Sequence, residues 1–203
     1  MSIRKKNIFW LILAVLVLAF VLTKWNTWFL NPPEPPYYPA HSPAQILLTW
    51  SADAASTRDV TWQGDTLTRI ARLELTGNAH PGDTIRYQST PKMIRTSGGA
   101  AAYNKIAMKD LQPGINYRYR VANDKQYSDW FDFSIQSRAD SSYSFCYFGD
   151  VQDSINGLTG EIFHRAAETL KNPAFLVFIG DIVERPHDAY WTEWFRAGDP
   201  LAG

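Results

Sequence analysis

Two short apolar runs, Phe148-Gly149-Asp150-Val151-Gln152 and Phe178-Ile179-Gly180-Asp181-Ile182-Val183-Glu184, constrain this chain more than any other feature. Each reads as a buried β-strand ending in Gly-Asp. The segment between them, Gly157 to Lys171, repeats apolar residues at helical spacing, with Ile162, Phe163, Ala166, Ala167 and Leu170 on one face and Glu161, Arg165, Glu168 and Lys171 on the other. Strand, amphipathic helix and strand in that order form a right-handed β-α-β crossover, which brings both aspartates to the carboxyl edge of one parallel sheet. A second helix is expected from about His187 to Arg196.

Two neighbouring carboxylates repel unless something positive lies between them, and hard divalent cations accept such oxygen pairs. The glycine before each aspartate is expected to allow a sharp turn and to leave room beside the main chain. The competing role for a post-strand Asp is to cap the helix that follows. Two Gly-Asp ends on consecutive strands favour the metal, with Asp150, Gln152 and Asp181 as its candidate ligands.

These motifs carry a resemblance. The segment from Ser142 onward resembles the opening of a calcineurin-like metallophosphoesterase domain, whose motifs run Asp-x-His, Gly-Asp-x-x, Gly-Asn-His-Asp/Glu and then two further His motifs. The resemblance implies that Asp150 binds the first of two metals and that Asp181 bridges both. It implies two divalent or transition-metal ions (Mn, Fe, Zn or Mg) as cofactors and a phosphorylated substrate. Gln152 departs from the pattern, since it stands where the family has His, and an amide oxygen is a harder and weaker ligand than imidazole. The sequence reaches Gly203 without a Gly-Asn-His-Asp/Glu or a later His motif, so it reads as the N-terminal part of a longer frame, inactive on its own.

Upstream, seven short alternating segments separated by turn residues argue an all-β sandwich. They are Ala44 to Trp50, Asp59 to Gln63, Ala71 to Leu75, Thr84 to Ser89, Tyr103 to Met108, Tyr117 to Ala122 and Phe131 to Gln136. Leu111-Gln112-Pro113-Gly114-Ile115-Asn116-Tyr117 resembles the turn-and-strand signature of fibronectin type III modules, which implies a tyrosine corner at Tyr117 and a buried tryptophan at Trp62. A fibronectin-like sandwich followed by a metallophosphoesterase start is the layout of purple acid phosphatases and their bacterial relatives. The purple enzymes place at position 184 the tyrosine that gives their colour, and this chain has Glu184, so a colourless relative is expected. Glu184 itself reads as a solvated loop residue before the second helix. His187 and His164 read as loop and surface residues, and Cys146, the only cysteine, as a small core residue.

The N-terminus sets the expected compartment. Arg4-Lys5-Lys6 precede an uninterrupted apolar run from Ile8 to Leu22, with Trp25, Trp28 and Phe29 beyond it at the level of an interfacial aromatic belt. No small-x-small cleavage site follows the run, which favours an uncleaved signal anchor over a secretory signal peptide. Without a cysteine after the run there is no lipobox. Basic residues hold the short N-terminal side in the cytoplasm, so the remainder lies outside, attached to the inner membrane by its helix.

The expected organisation is therefore a transmembrane helix in residues 1–30, a Pro-rich linker in 31–43, the sandwich in 44–138 and a partial metallophosphoesterase domain in 142–203. The linker holds six prolines between Asn31 and Pro43 and reads as a stiff spacer that lifts the sandwich off the membrane. Lys+Arg and Asp+Glu each total 20, which removes any electrostatic case for a nucleic-acid partner. The alternative function is a membrane-tethered, fibronectin-like binding module with a vestigial catalytic tail. Substrate and oligomeric state are not legible in these residues.

Overall fold

A computed structural model describes residues 3–30, 36–77, 82–96, 98–137, 142–153, 157–170 and 173–198. The chain divides into two units, Met1–Pro35 and Pro36–Gly203.

The first unit is one helix, α1 (Ile3–Phe29), apolar on every side and unburied along its apolar stretch. The stretch Lys6–Phe29 has 24 residues, and at about 1.5 Å of rise each it matches the roughly 30 Å hydrocarbon core of a bilayer. Such a helix is long and apolar enough to serve as a membrane anchor or a signal sequence. Phe20 and Trp28 meet edge to face with ring centroids 5.4 Å apart, and Trp25 and Phe29 lie 4.6 Å apart, so the aromatics gather at the helix's C-terminal end.

The second unit opens with a β-sandwich. One sheet has the order β1 (Ala44–Trp50), β2 (Arg58–Gly64), β6 (Ala100–Met108), β5 (Lys92–Arg95). The other runs β4 (Ile85–Ser89), β3 (Ala71–Gly77), β7 (Asn116–Asn123), β8 (Gln126–Tyr127), with β9 (Phe131–Ser134) also paired to β7. All pairs are antiparallel. Alternating residues of the two inner faces, including Val60, Trp62, Leu73, Leu75, Ile106, Tyr119 and Val121, make a single core. Trp62 is 1% exposed and its indole N–H donates to Asn123 Oδ1 at 2.9 Å, which satisfies the polar end of a buried ring. Tyr117 Oη accepts the Gln112 backbone N–H at 2.8 Å, five residues upstream, and so closes the tyrosine corner.

The seven expected strands are present, with ends shifted by at most three residues, and two more join them. β5 is exposed along its whole length and carries no alternation, and β8 has two residues, so neither leaves a periodic trace. The expected spacer also differs. Residues 31–35 lie outside the described residues, but the segment after them lies along the sandwich. Tyr37 N–H donates to Gly98 O at 2.7 Å, His41 Nδ1 meets Asp65 Oδ1 at 2.9 Å, and Asn123 Nδ2 donates to His41 O at 2.9 Å. Polar groups on that stretch find partners on the sheets, which outweighs the stiffness of its prolines.

After the sandwich come β10 (Cys146–Gly149), α2 (Thr159–Thr169), β11 (Leu176–Ile179) and α3 (Asp188–Gly198). β10 and β11 pair in parallel, with Phe148 beside Phe178 and Gly149 beside Ile179. Phe163 on α2 is fully buried against Phe148 and Phe178, a burial that stabilises by about 2–3 kcal/mol. Ala166 and Leu170 join that core, but Ile162, expected on the same face, is 47% exposed, because the buried stripe is narrower than the apolar stripe of the sequence. Lys171 lies outside the described residues. β10 begins at Cys146, and before it Tyr143 and Phe145 gather around Phe175. Cys146 is buried and free, as a small core residue should be.

The aromatics of α3 find partners within the chain. Trp194 packs edge to face on Phe178 at 5.0 Å, and Trp191 and Phe195 face the sandwich.

Candidate metal-binding edge of the parallel sheet

The carboxyl ends of β10 and β11 bring Asp150 and Asp181 together. Asp150 N–H donates to Ile179 O at 3.0 Å and Gln152 N–H to Asp181 O at 3.0 Å, so the two chains continue to exchange bonds past the last paired residues. Between those bonds the Asp150 carboxylate accepts the Asp181 backbone N–H at 3.0 Å. Both aspartates and Gln152 are exposed at this edge.

This geometry decides against the capping role. α2 starts at Thr159, with Leu158 at its N-cap and no side-chain cap bond, and α3 starts at Asp188. Neither Asp150 nor Asp181 reaches a helix end. Asp150 instead ties one strand-end loop to the other.

The glycines divide the expected work unequally. Gly180 has φ +77°, and a Cβ there would collide with Asp150 Oδ1 and lie 3.1 Å from Asp150 N. Gly149 has no such need, because a Cβ there would meet Ile179 atoms at an ordinary 3.9 Å. The sharp turn on the first strand falls on Asp150 itself, at φ +48°, in a region that Asp tolerates better than most residues.

Asp153 is a residue that sequence reasoning missed. Its carboxylate accepts the Leu158 N–H, while Thr159 Oγ1 donates to Val151 O at 2.7 Å, and together they close the loop that leads from β10 into α2. Asp-x-x-x-Gly-x-Thr after a strand was the available signal. Glu184 is exposed in the bend between β11 and α3, as expected. His187 serves through its backbone, its carbonyl accepting the Tyr190 and Trp191 N–H groups at 3.0 and 3.3 Å. His164 is exposed and lies 3.4 Å from Glu168 on the same helix.

Two exposed carboxylates and an amide are hard oxygen donors, and they fit one edge of a divalent-cation site. They do not complete one. Among the described residues no group of three or more His, Cys, Asp and Glu side chains gathers in a way that could hold a metal ion.

The class of protein that the fold defines is a fibronectin-like sandwich continued by a parallel β-α-β unit. Residues 43–135 match the family described as Purple acid Phosphatase, N-terminal domain, so that part of the chain carries a purple acid phosphatase N-terminal-like domain. Among solved structures, purple acid phosphatase PPD1 from yellow lupin (Lupinus luteus) seeds aligns with a TM-score of 0.62 and 14% identity, covering 80% of this chain and 34% of that one. A structure of PhoD aligns with a TM-score of 0.53 and 11% identity, covering 84% of this chain and 38% of that one. A fibronectin type III domain of human collagen XX also matches, with a TM-score of 0.32 and 12% identity over 51% of this chain and 98% of that domain. At these identities the likenesses to the lupin enzyme and to PhoD show the fold alone. The chain spans little more than a third of the length of the lupin and PhoD structures. No curated protein matches the sequence.

Proposed function

We propose that this chain is the membrane-proximal N-terminal part of a metal-dependent phosphoesterase, with Asp150 and Asp181 as ligands of its metal centre and Gln152 as an auxiliary oxygen donor. The observation that carries the reading is the bond from the Asp181 N–H to the Asp150 carboxylate at 3.0 Å, which holds two acidic strand ends side by side where neither caps a helix. Order along the chain supports it, because a purple acid phosphatase N-terminal-like domain over residues 43–135 precedes this edge directly. The alignments with the lupin purple acid phosphatase and with PhoD cover four fifths of the chain, more than the sandwich alone can supply.

In such an enzyme a pair of divalent cations supplies a hydroxide nucleophile and neutralises charge on the phosphoryl group. The contribution of this chain is positional. Asp150 and Asp181 would supply the carboxylates that hold the cations, and the Asp181 N–H fixes the direction of the Asp150 carboxylate. Gly180 keeps the two loops close enough for that bond. Arg4-Lys5-Lys6 before the apolar helix favour a cytoplasmic N-terminus, which supports a site on the extracytoplasmic face.

The test is calorimetric titration of the full chain, held in lipid nanodiscs, with Mn²⁺. Half a ligand set should bind weakly, with Kd in the millimolar range, and Asp181→Asn and Asp150→Asn should each abolish the signal. Gln152→His should strengthen binding of Zn²⁺ relative to Mn²⁺, since imidazole is the softer ligand. In a phosphatase of the neighbours' length, Asp181→Asn should also abolish hydrolysis of p-nitrophenyl phosphate. Unchanged Mn²⁺ binding by both Asn variants would remove the main support for the metal reading.

A further inference from the structure

A cavity half open to solvent lies where α3 meets the sandwich. It has a volume of about 240 Å³ and is walled by Gln45 and Gln63 from the first sheet, Tyr103 from β6, and Asp188, Trp191 and Phe195 from α3. That is below the size of most ligand pockets, so it suits a small, single-ring ligand.

Its polar groups are organised. Gln45 Nε2 donates to Tyr37 Oη at 3.3 Å, Tyr37 Oη donates to Gln63 Oε1 at 2.5 Å, and Gln63 Nε2 donates to Tyr103 Oη at 2.9 Å. Gln63 is 1% exposed, so this glutamine is a fixed, buried element of the wall. On the far side Asp188, 7% exposed, accepts the Thr96 hydroxyl at 2.7 Å.

Gln45 adds an independent observation. It sits at φ +52° on β1, inside the stretch between Ala44 and Leu47 where the register with β2 shifts. A non-glycine residue in the left-handed region costs about 1–2 kcal/mol, and such strain persists where surrounding structure fixes it, often at ligand sites. Bulges re-aim side chains, and this one turns an amide toward the cavity.

The wall determines what fits. None of its residues is Lys or Arg, which disfavours phosphate or any other anion. One carboxylate already bonded to Thr96, against two amides and a phenol, disfavours a bare cation. Donors and acceptors of both kinds beside the rings of Trp191, Phe195 and Tyr103 suit a neutral polyhydroxylated ring, whose C–H face stacks on aromatics while its hydroxyls both give and take hydrogen bonds.

We propose that the cavity between the sandwich and α3 is a binding site for a single neutral sugar ring. The inference stands apart from the metal reading and uses none of its residues. Its test is saturation-transfer NMR on the full chain in lipid nanodiscs, free of glycosidic detergent, with glucose, galactose, mannose and N-acetylglucosamine at millimolar concentration. At least one sugar should receive saturation from aromatic protons. Trp191→Ala should weaken it by about tenfold, the equivalent of one stacked ring. Gln45→Ala, which removes one amide from a strained position outside the core, should weaken it comparably and leave thermal unfolding nearly unchanged. No transfer to any of the four sugars, transfer unchanged in Gln45→Ala, or transfer to choline or binding of inorganic phosphate in their place would overturn the proposal.

Discussion

Gly149 and Gly180 precede matched aspartates, yet the space around them differs. Alanine at 180 puts a Cβ against the Asp150 carboxylate and forces a residue that prefers negative φ to sit at +77°. Alanine at 149 meets only van der Waals neighbours. Gly180→Ala should therefore cost about 2 kcal/mol locally and speed amide hydrogen exchange at Asp181, whereas Gly149→Ala should change stability by no more than about 0.5 kcal/mol. Equal effects of the two substitutions would mean that the close approach of the two loops is unimportant. The repeated Gly-Asp was plain in the sequence. Which glycine is indispensable was not, because that depends on what faces each Cα across the strand ends.

At the level of elements, β3 shows how charge is arranged across one sheet. Glu74 is opposite Arg86 of β4 on one side and Arg120 of β7 on the other, and its carboxylate accepts from Arg86 Nε at 3.2 Å and Arg120 Nε at 2.9 Å. Arg120 in turn lies over the rings of Tyr127 at 4.2 Å and Trp130 at 4.8 Å, so four strands are laced together. Burial pushes the Glu74 carboxyl up, but its bonds to Arg120 and Arg86 outweigh that and hold it below the usual carboxylate range. A carboxyl depressed in the folded state stabilises above its unfolded pKa and loses that contribution as pH falls through the folded value. Glu74→Gln should lower the unfolding free energy by about 1–2 kcal/mol near pH 7, with part of the ion-pair energy discounted for the exposed Arg86, and the gap from the parent chain should close as the pH falls below the carboxylate range. Urea unfolding at neutral and acid pH measures both, and a gap independent of pH would refute it. The seven periodic strands, the crossover and the buried Trp62 were legible because period, turn residues and burial agree there. β5 and β8 were not, since an exposed edge strand and a two-residue strand have no apolar alternation. The candidate site was legible as residue types, while Asp153 and the cavity at α3 depended on loop closure and on packing between elements distant in sequence.

At the scale of the whole molecule, the charge pattern before α1 makes a prediction that leaves aside how its two units are arranged. Arg4-Lys5-Lys6 cost least on the cytoplasmic side, and the apolar stretch Lys6–Phe29 is long enough to cross once, so everything beyond it should lie outside. The single native cysteine, Cys146, is buried and should resist a bulky thiol reagent. Ala55→Cys places one thiol at an exposed turn position of the sandwich and makes the chain a topology reporter. A membrane-impermeant maleimide should label Ala55→Cys on intact cells without lysis and should leave the parent chain unlabelled. The labelled protein should stay with carbonate-washed membranes and keep an N-terminal epitope, since Trp25, Trp28 and Phe29 follow the span where a cleavage site would need small residues. Labelling only after lysis would invert the topology. Recovery of labelled protein in the soluble fraction without its epitope would keep the sidedness but identify α1 as a cleaved signal sequence, and the site at Asp150 and Asp181 would then work free of the membrane.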